Sequence, residues 1–242
     1  MNNQQVLLKE RDTSQLLNNC SDLSQPNWPM NRGLDRYKEL TGFNPERLKE
    51  NGIWIDIGPG ANALALSQLK RDDILKVGIS GHEVDAPSDV HIVYGLFPEV
   101  DLNHLGIQKV DLITDIYSAF SYSNYPLRVL MAQLAMLKKG GELYIFSEKY
   151  KINDFVTWYK LADILAPLMG VDLSFKVKEV FADANKVKED ALLITGKKIF
   201  DTKVTPQRLL EIIYSSIGVP KIDDTIWQAP GSDFQINSIS YS

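Results

Sequence analysis

Asp56 and Asp115 each stand near the end of an apolar run, Ile53-Trp54-Ile55-Asp56-Ile57 and Val110-Asp111-Leu112-Ile113-Thr114-Asp115-Ile116. The first run leads directly into Gly58-Pro59-Gly60-Ala61-Asn62. Runs with so little polar alternation are strands buried on both faces. They belong to parallel sheets covered by helices, which hold ligands outside the carboxyl ends of their strands. A carboxylate at that edge can meet a cation or take up a proton, and Tyr117 and Tyr122 add phenolic groups beside it. Gly58 and Gly60 have no Cβ, so the chain can turn sharply and a ligand can come close to the backbone. The N–H groups that open the following helix, near Asn62, point into the same crevice.

Two ligand classes use such a turn. A dinucleotide brings a pyrophosphate, which a helix N-terminus attracts and Asp56 would repel. S-adenosylmethionine brings an ammonium for Asp56 and a carboxylate for the turn's N–H groups. The stretch Asp56-Ile57-Gly58-Pro59-Gly60-Ala61-Asn62 resembles the first motif of the class I S-adenosylmethionine-dependent methyltransferases. Its spacing also satisfies Gly-x-Gly-x-x-Ala, a nicotinamide or flavin fingerprint. A second passage, Leu137-Lys138-Lys139-Gly140-Gly141-Glu142-Leu143-Tyr144-Ile145, is similar to the "LxPGGxLxI" of those methyltransferases, with Lys139 where proline is commoner. The resemblance covers about Gly52 to Lys198.

Composition bounds the alternatives. The chain has 242 residues, enough to bury a sizeable core, and a net charge of −5, which gives no basic footprint for nucleic acid or an anionic membrane. One cysteine, Cys20, excludes an intramolecular disulfide framework and a cysteine-based zinc cluster. His82, His91 and His104 are not paired at helical ligand spacing, so no metal is expected. No signal peptide or membrane-length apolar run is visible, and a soluble cytoplasmic protein is the simplest expectation.

The elements that must position these residues follow in order. Met1 to about Ser24 is polar, weakly amphipathic around Val6 to Leu17, and Gln25 to Pro29 breaks the chain. Gly33 to Leu40 reads as a helix, and Asn44-Pro45 starts a short one through Leu48, with Asn44 as N-cap. Strands are expected at Ile74 to Ile79 and Val90 to Tyr94, too close for more than a short helix between them. A helix from Pro126 to Leu137 ends at Lys138 to Gly141, before a strand over Glu142 to Phe146. A helix over Ile152 to Met169 precedes an antiparallel pair, Leu173 to Phe181 and Ala191 to Lys197. A last helix is expected at Pro206 to Ile217.

The resemblance implies an α/β, Rossmann-like, doubly wound and mostly parallel seven-stranded sheet with a C-terminal antiparallel hairpin and helices on both faces. It divides the chain into a helical cap (1–48), a core (49–200) and an appendage (201–242); Trp28, Arg32 and Tyr37 could face the cleft, with packing against the core the favoured alternative for Trp28 and Tyr37. It implies S-adenosyl-L-methionine as cofactor, held by Asp56, Gly58, Pro59, Gly60, Asn62, Glu83, Leu96, Phe97, Asp115 and Ile116. Two positions depart from the family. Ser80 stands where an acid usually takes the ribose hydroxyls, leaving Glu83 and Asp85 nearest. Leu96 stands where an acid usually meets the adenine amino group, which removes a contact worth roughly 1 kcal/mol, though Leu96 and Phe97 can still enclose the ring.

The chemistry implied is an in-line displacement at an activated methyl, in which the protein aligns the reactants and excludes water. A base is needed only for a protonated acceptor, and Asp115, Tyr117 and Tyr122 are the candidates. The expected activity is methyl transfer to a small molecule or an exposed protein group. The Asp-Ile-Tyr sequence lacks the prolines of the motif used on amino-group substrates, which argues against a nucleic-acid base. The alternatives are a non-catalytic binding or scaffold module on the same fold, and an NAD(P)-dependent oxidoreductase.

Overall fold

Strand β1 (Ile53–Ile57) lies at the centre of a seven-stranded sheet, flanked on one side by β2 (Leu75–Ser80) and on the other by β4 (Val110–Ile116). The computed structural model describes residues 32–123, 126–147, 155–181, 188–202, 204, 226–228 and 235–237. With β3 (Val90–Tyr94), β5 (Leu137–Ser147), β6 (Val171–Phe181) and β7 (Lys188–Lys198), the sheet order is β3-β2-β1-β4-β5-β7-β6. Pairing is parallel from β3 to β5, and β7 runs antiparallel to both of its neighbours. The order reverses at β1, whose two neighbours are reached by crossovers in opposite directions, and there a crevice opens at the carboxyl edge.

Strand alternation distributes the side chains over two cores. On one face Trp54, Leu112, Ile116 and Phe146 pack with Leu34, Tyr37 and Leu40 of α1 (Leu34–Thr41) and with Ala65 and Leu66 of α2 (Leu64–Gln68). The other face carries Ile55, Ile57, Ile113 and Ile145, covered by the one-turn α3 (Ala119–Tyr122), by α4 (Pro126–Met136) and by α5 (Phe155–Met169). Helices therefore cover both faces, as expected of a doubly wound sheet.

Most boundaries fall within a residue or two of expectation. No helix separates β2 from β3, and residues 81–89 are loop. The short helix after Asn44 is a 3-10 turn, Pro45–Arg47, with the Asn44 side chain accepting from the Glu46 N–H. Two boundaries move further: β7 begins at Lys188, three residues before the expected Ala191, and β5 begins at Leu137, so the Lys138 to Gly141 passage is strand and not a turn. Leu137 pairs with Val110, and the register shifts before Leu112 meets Glu142. Gly141 needs its lack of side chain here, since a Cβ would sit 2.8 Å from the Val110 carbonyl.

The expected arm around Val6 to Leu17, the break at Trp28 and the helix over Pro206 to Ile217 lie outside the described residues. A two-stranded ribbon, β8 (Ile226–Gln228) with β9 (Gln235–Asn237), falls in the expected appendage.

Candidate active site

The β1–α2 turn shapes the crevice. Gly58 and Gly60 have φ of 69° and 78°, the left-handed region that favours glycine. The Gly58 N–H donates to the Ile79 carbonyl at 2.8 Å, tying the turn to the end of β2. From the other side the β4–α3 junction closes on it: a Cβ at residue 58 would lie 2.0 Å from Ser118 Oγ. Pro59 packs over Gly78 of β2. Asn62 is exposed, and Ala63 takes a positive φ of 46° before α2 begins. Tyr117, also not a glycine, has φ 52° at the end of β4. Such residues cost of order 1–3 kcal/mol each and persist where the surroundings over-determine them. Here they stand at the carboxyl ends of β1 and β4.

Asp56 and Asp115 lie on opposite faces of the sheet. Asp56 pairs with Thr114 and Ile57 with Asp115, so the two carboxyls point to opposite sides. Asp56 turns into the layer beneath α1. It accepts from Tyr37 Oη at 2.9 Å and from Thr114 Oγ1 at 2.6 Å, and Thr114 in turn accepts from Trp54 Nε1 at 2.9 Å. All four side chains are buried. Burial is the main cause that lifts the Asp56 carboxyl to about 7, against the two hydroxyl bonds that favour its charge. Each of its oxygens accepts one protein donor and the side chain has no solvent exposure, so the ammonium contact expected of it would have to reach an enclosed group. Tyr37 packs into the core, the favoured of its two expected places, and burial followed by the nearby Asp56 charge raises its phenol.

Asp115 turns the other way, under α3 and α4. Its Oδ2 accepts from the Phe120 backbone N–H at 2.9 Å and from Gln133 Nε2 at 2.7 Å. Burial again dominates and lifts it to about 7. Ile116 is buried on the α1 face. Tyr117 is half-buried, its ring set edge-on against Phe146 at 5.3 Å and beneath the Arg32 guanidinium at 4.8 Å. Arg32 thus reaches the crevice edge as expected. Tyr122 is half-buried on α3.

On the β2–β3 side, Glu83 is exposed, Leu96 half-buried and Phe97 buried. The Ser80 hydroxyl accepts from the His82 N–H at 3.1 Å. That position is committed to shaping its own loop, and Glu83 and Asp85 remain the nearby acids. The Asp85 N–H donates to the Ala61 carbonyl at 2.7 Å, joining this loop to the glycine turn. His104 is exposed in a 3-10 turn before β4, away from the carboxyl edge. Among the described residues no group of three or more His, Cys, Asp or Glu is placed to hold a metal ion. Sequence reading missed Thr114, Ser118 and Gln133, which bind or abut the predicted residues.

A strand order in which β7 is inserted antiparallel between β5 and β6, beside a crevice at β1 and β4, decides the fold. The sheet is of the class I methyltransferase type. Solved structures with similar folds include a precorrin-8w decarboxylase from Methanobacterium thermoautotrophicum, 15% identical with a TM-score of 0.44, over 71% of this chain and 94% of that one. An S-adenosylmethionine-dependent methyltransferase from Methanosarcina mazei is 14% identical with a TM-score of 0.43, over 66% and 99%. The 16S rRNA (adenine(1408)-N(1))-methyltransferase from Catenulisporales acidiphilia is 15% identical with a TM-score of 0.44, over 71% and 94%. No protein-family model matches the chain, and neither does any curated protein sequence. Likeness at this level concerns the fold alone; the chemistry has to be argued from this chain's own side chains. No helix among the described residues is long and apolar enough to cross a membrane.

Proposed function

We propose that this chain transfers a methyl group from S-adenosyl-L-methionine to a small molecule or an exposed protein group, using the core of residues 49–200 beneath the N-terminal cap. The observation that carries the reading is the left-handed Gly58-Pro59-Gly60 turn at the point where the strand order reverses. The cofactor would supply the electrophilic methyl. Gly58, Gly60 and the backbone through Asn62 would hold its methionine end, Leu96 and Phe97 would wall the adenine, and Glu83 would supply the carboxylate for the ribose hydroxyls that Ser80 lacks. Asp56 holds α1 and the turn in place through Tyr37. Asp115, or a tyrosine beside it, would receive the acceptor's proton.

One observation favours the non-catalytic alternative: both strand-end carboxyls are enclosed by protein donors. Titration calorimetry with S-adenosylmethionine, S-adenosylhomocysteine and NAD separates the readings. Micromolar binding of the two sulfur ligands alone supports the cofactor; binding of NAD alone, or silence with all three, removes it. Label transfer from methyl-labelled cofactor to an acceptor then separates the enzyme from the module.

A further inference from the structure

Strand β6 is the outermost strand of the sheet, and among the described residues no strand pairs with its outer edge. A long unpaired edge presents a row of N–H and C=O groups that can take up another strand. Side chains alternate along it. Val171 and Phe175 belong to the core on the α5 side, and Val177, on that same face, is 46% exposed. Asp172, Ser174 and Lys176 lie on the α1 side, where Lys178 donates to the Leu40 carbonyl at 2.9 Å.

Asp172 and Lys176 are exposed, and among the described residues neither forms an ion pair. Lys197, across from Asp172 on β7, pairs with Glu142 instead. Along one strand Asp172 and Lys176 stand about 13 Å apart, too far to meet each other. A second β6 laid antiparallel about a two-fold axis at Ser174 brings them together. Each Asp172 then faces the Lys176 of the other copy, and each exposed Val177 faces a Val171. Neighbouring registers do worse. Centring on Lys176 or Lys178 sets two ammonium groups face to face, and centring on Val177 sets Lys176 against Lys178. Centring on Phe175 asks Asp172 to meet a Lys178 that α1 already holds. Cross-strand pairs of opposite charge stabilise a sheet and like pairs destabilise it, so charge selects the register at Ser174.

We propose that a second copy of this chain docks on β6, pairing Val171 to Val177 with the same residues of its twin in one continuous sheet. The contact is isologous, with its axis normal to the sheet, so strand direction reverses from one copy to the other. The two crevices therefore open at opposite edges of the joined sheet, and neither is covered by the other copy.

Sedimentation equilibrium of the full chain reads the association directly. The wild-type protein should dimerise. Lys176→Glu and Asp172→Lys should each weaken self-association about tenfold, since each turns two attractive pairs into two repulsive ones. An equimolar mixture of the two variants should restore it, because opposite charges face each other again in the mixed pair. Thermal melts check that both variants fold, and Lys176→Glu alone decides if Asp172→Lys does not. A wild-type chain that stays monomeric at about 100 µM overturns the proposal, whatever else then occupies the edge. So does a dimer that Lys176→Glu leaves intact, or a mixture of folded variants that associates no more tightly than its components.

Discussion

Tyr37 of α1 donates its phenolic hydrogen to Asp56 of β1 at 2.9 Å, and both side chains are buried. This bond joins the segment before the sheet to the strand that leads into the glycine turn. It is flanked by two more ties, Gln68 Oε1 accepting from the Leu34 N–H at 2.6 Å and Lys178 Nζ donating to the Leu40 carbonyl at 2.9 Å. Helix α1 is thus fixed at its start, middle and end.

Replacing the phenol by a ring of the same shape isolates this bond. Tyr37→Phe leaves an enclosed acceptor unpaired and should cost about 1–3 kcal/mol in urea unfolding. Because the hydroxyl favours ionised Asp56, the loss should be larger at pH 8 than at pH 5. An equal loss at both values would mean that Asp56 is in the same protonation state at both.

The two buried carboxyls set a sign for the pH dependence. Asp56 and Asp115 are each raised from 3.8 to about 7 in the folded chain. Between those values the folded state binds more protons than the unfolded one, so stability falls as pH rises from about 4 to 7 and levels off above that. Asp56→Asn should flatten the fall. Denaturation midpoints at pH 5, 6, 7 and 8 test this, and stability rising across that window would contradict both shifts.

Gly58 faces two obstacles that can be separated. Gly58→Ala imposes a side chain at φ 69° and also places its Cβ 2.0 Å from Ser118 Oγ. The first costs about 1–2 kcal/mol and the second about 1–3 kcal/mol. Adding Ser118→Gly should recover the second part only. A double variant as unstable as the single one would show that the hydroxyl is not what closes on the turn.

Gly170 offers the contrasting case. Its φ is 63° and a Cβ there would lie 2.1 Å from the Phe200 backbone carbonyl. No side-chain truncation can relieve a backbone clash, so Gly170→Ala should stay destabilised in a Phe200→Ala background. Thermal melts of the single and double variants decide the point.

The layered sheet was legible because its strands are apolar runs bounded by turn residues, and the missing helix between β2 and β3 because too few residues separate them. The faces of Asp56 and Asp115 were not. Each alternates predictably within its own strand, but the register between two parallel strands is set by crossovers that no local pattern encodes. That register places Thr114 opposite Asp56. The start of β5 was misread because Gly140-Gly141 is ordinary helix-ending chemistry, while the pairing of Leu137 with Val110 is a long-range contact. Gln133 and Ser118 carry no motif and matter only through what folds against them.

The helix-free loop between β2 and β3 has a practical use. Asp85 ties it to the glycine turn through one backbone bond, and Glu83 next to that tie is exposed. With Cys20 as the chain's only thiol, a Cys20→Ser, Ser88→Cys chain would accept a single environment-sensitive dye at the exposed Ser88 of this loop, leaving Glu83 intact. Its emission would report occupancy of the crevice in real time, which opens acceptor screening by fluorescence before any product has been identified.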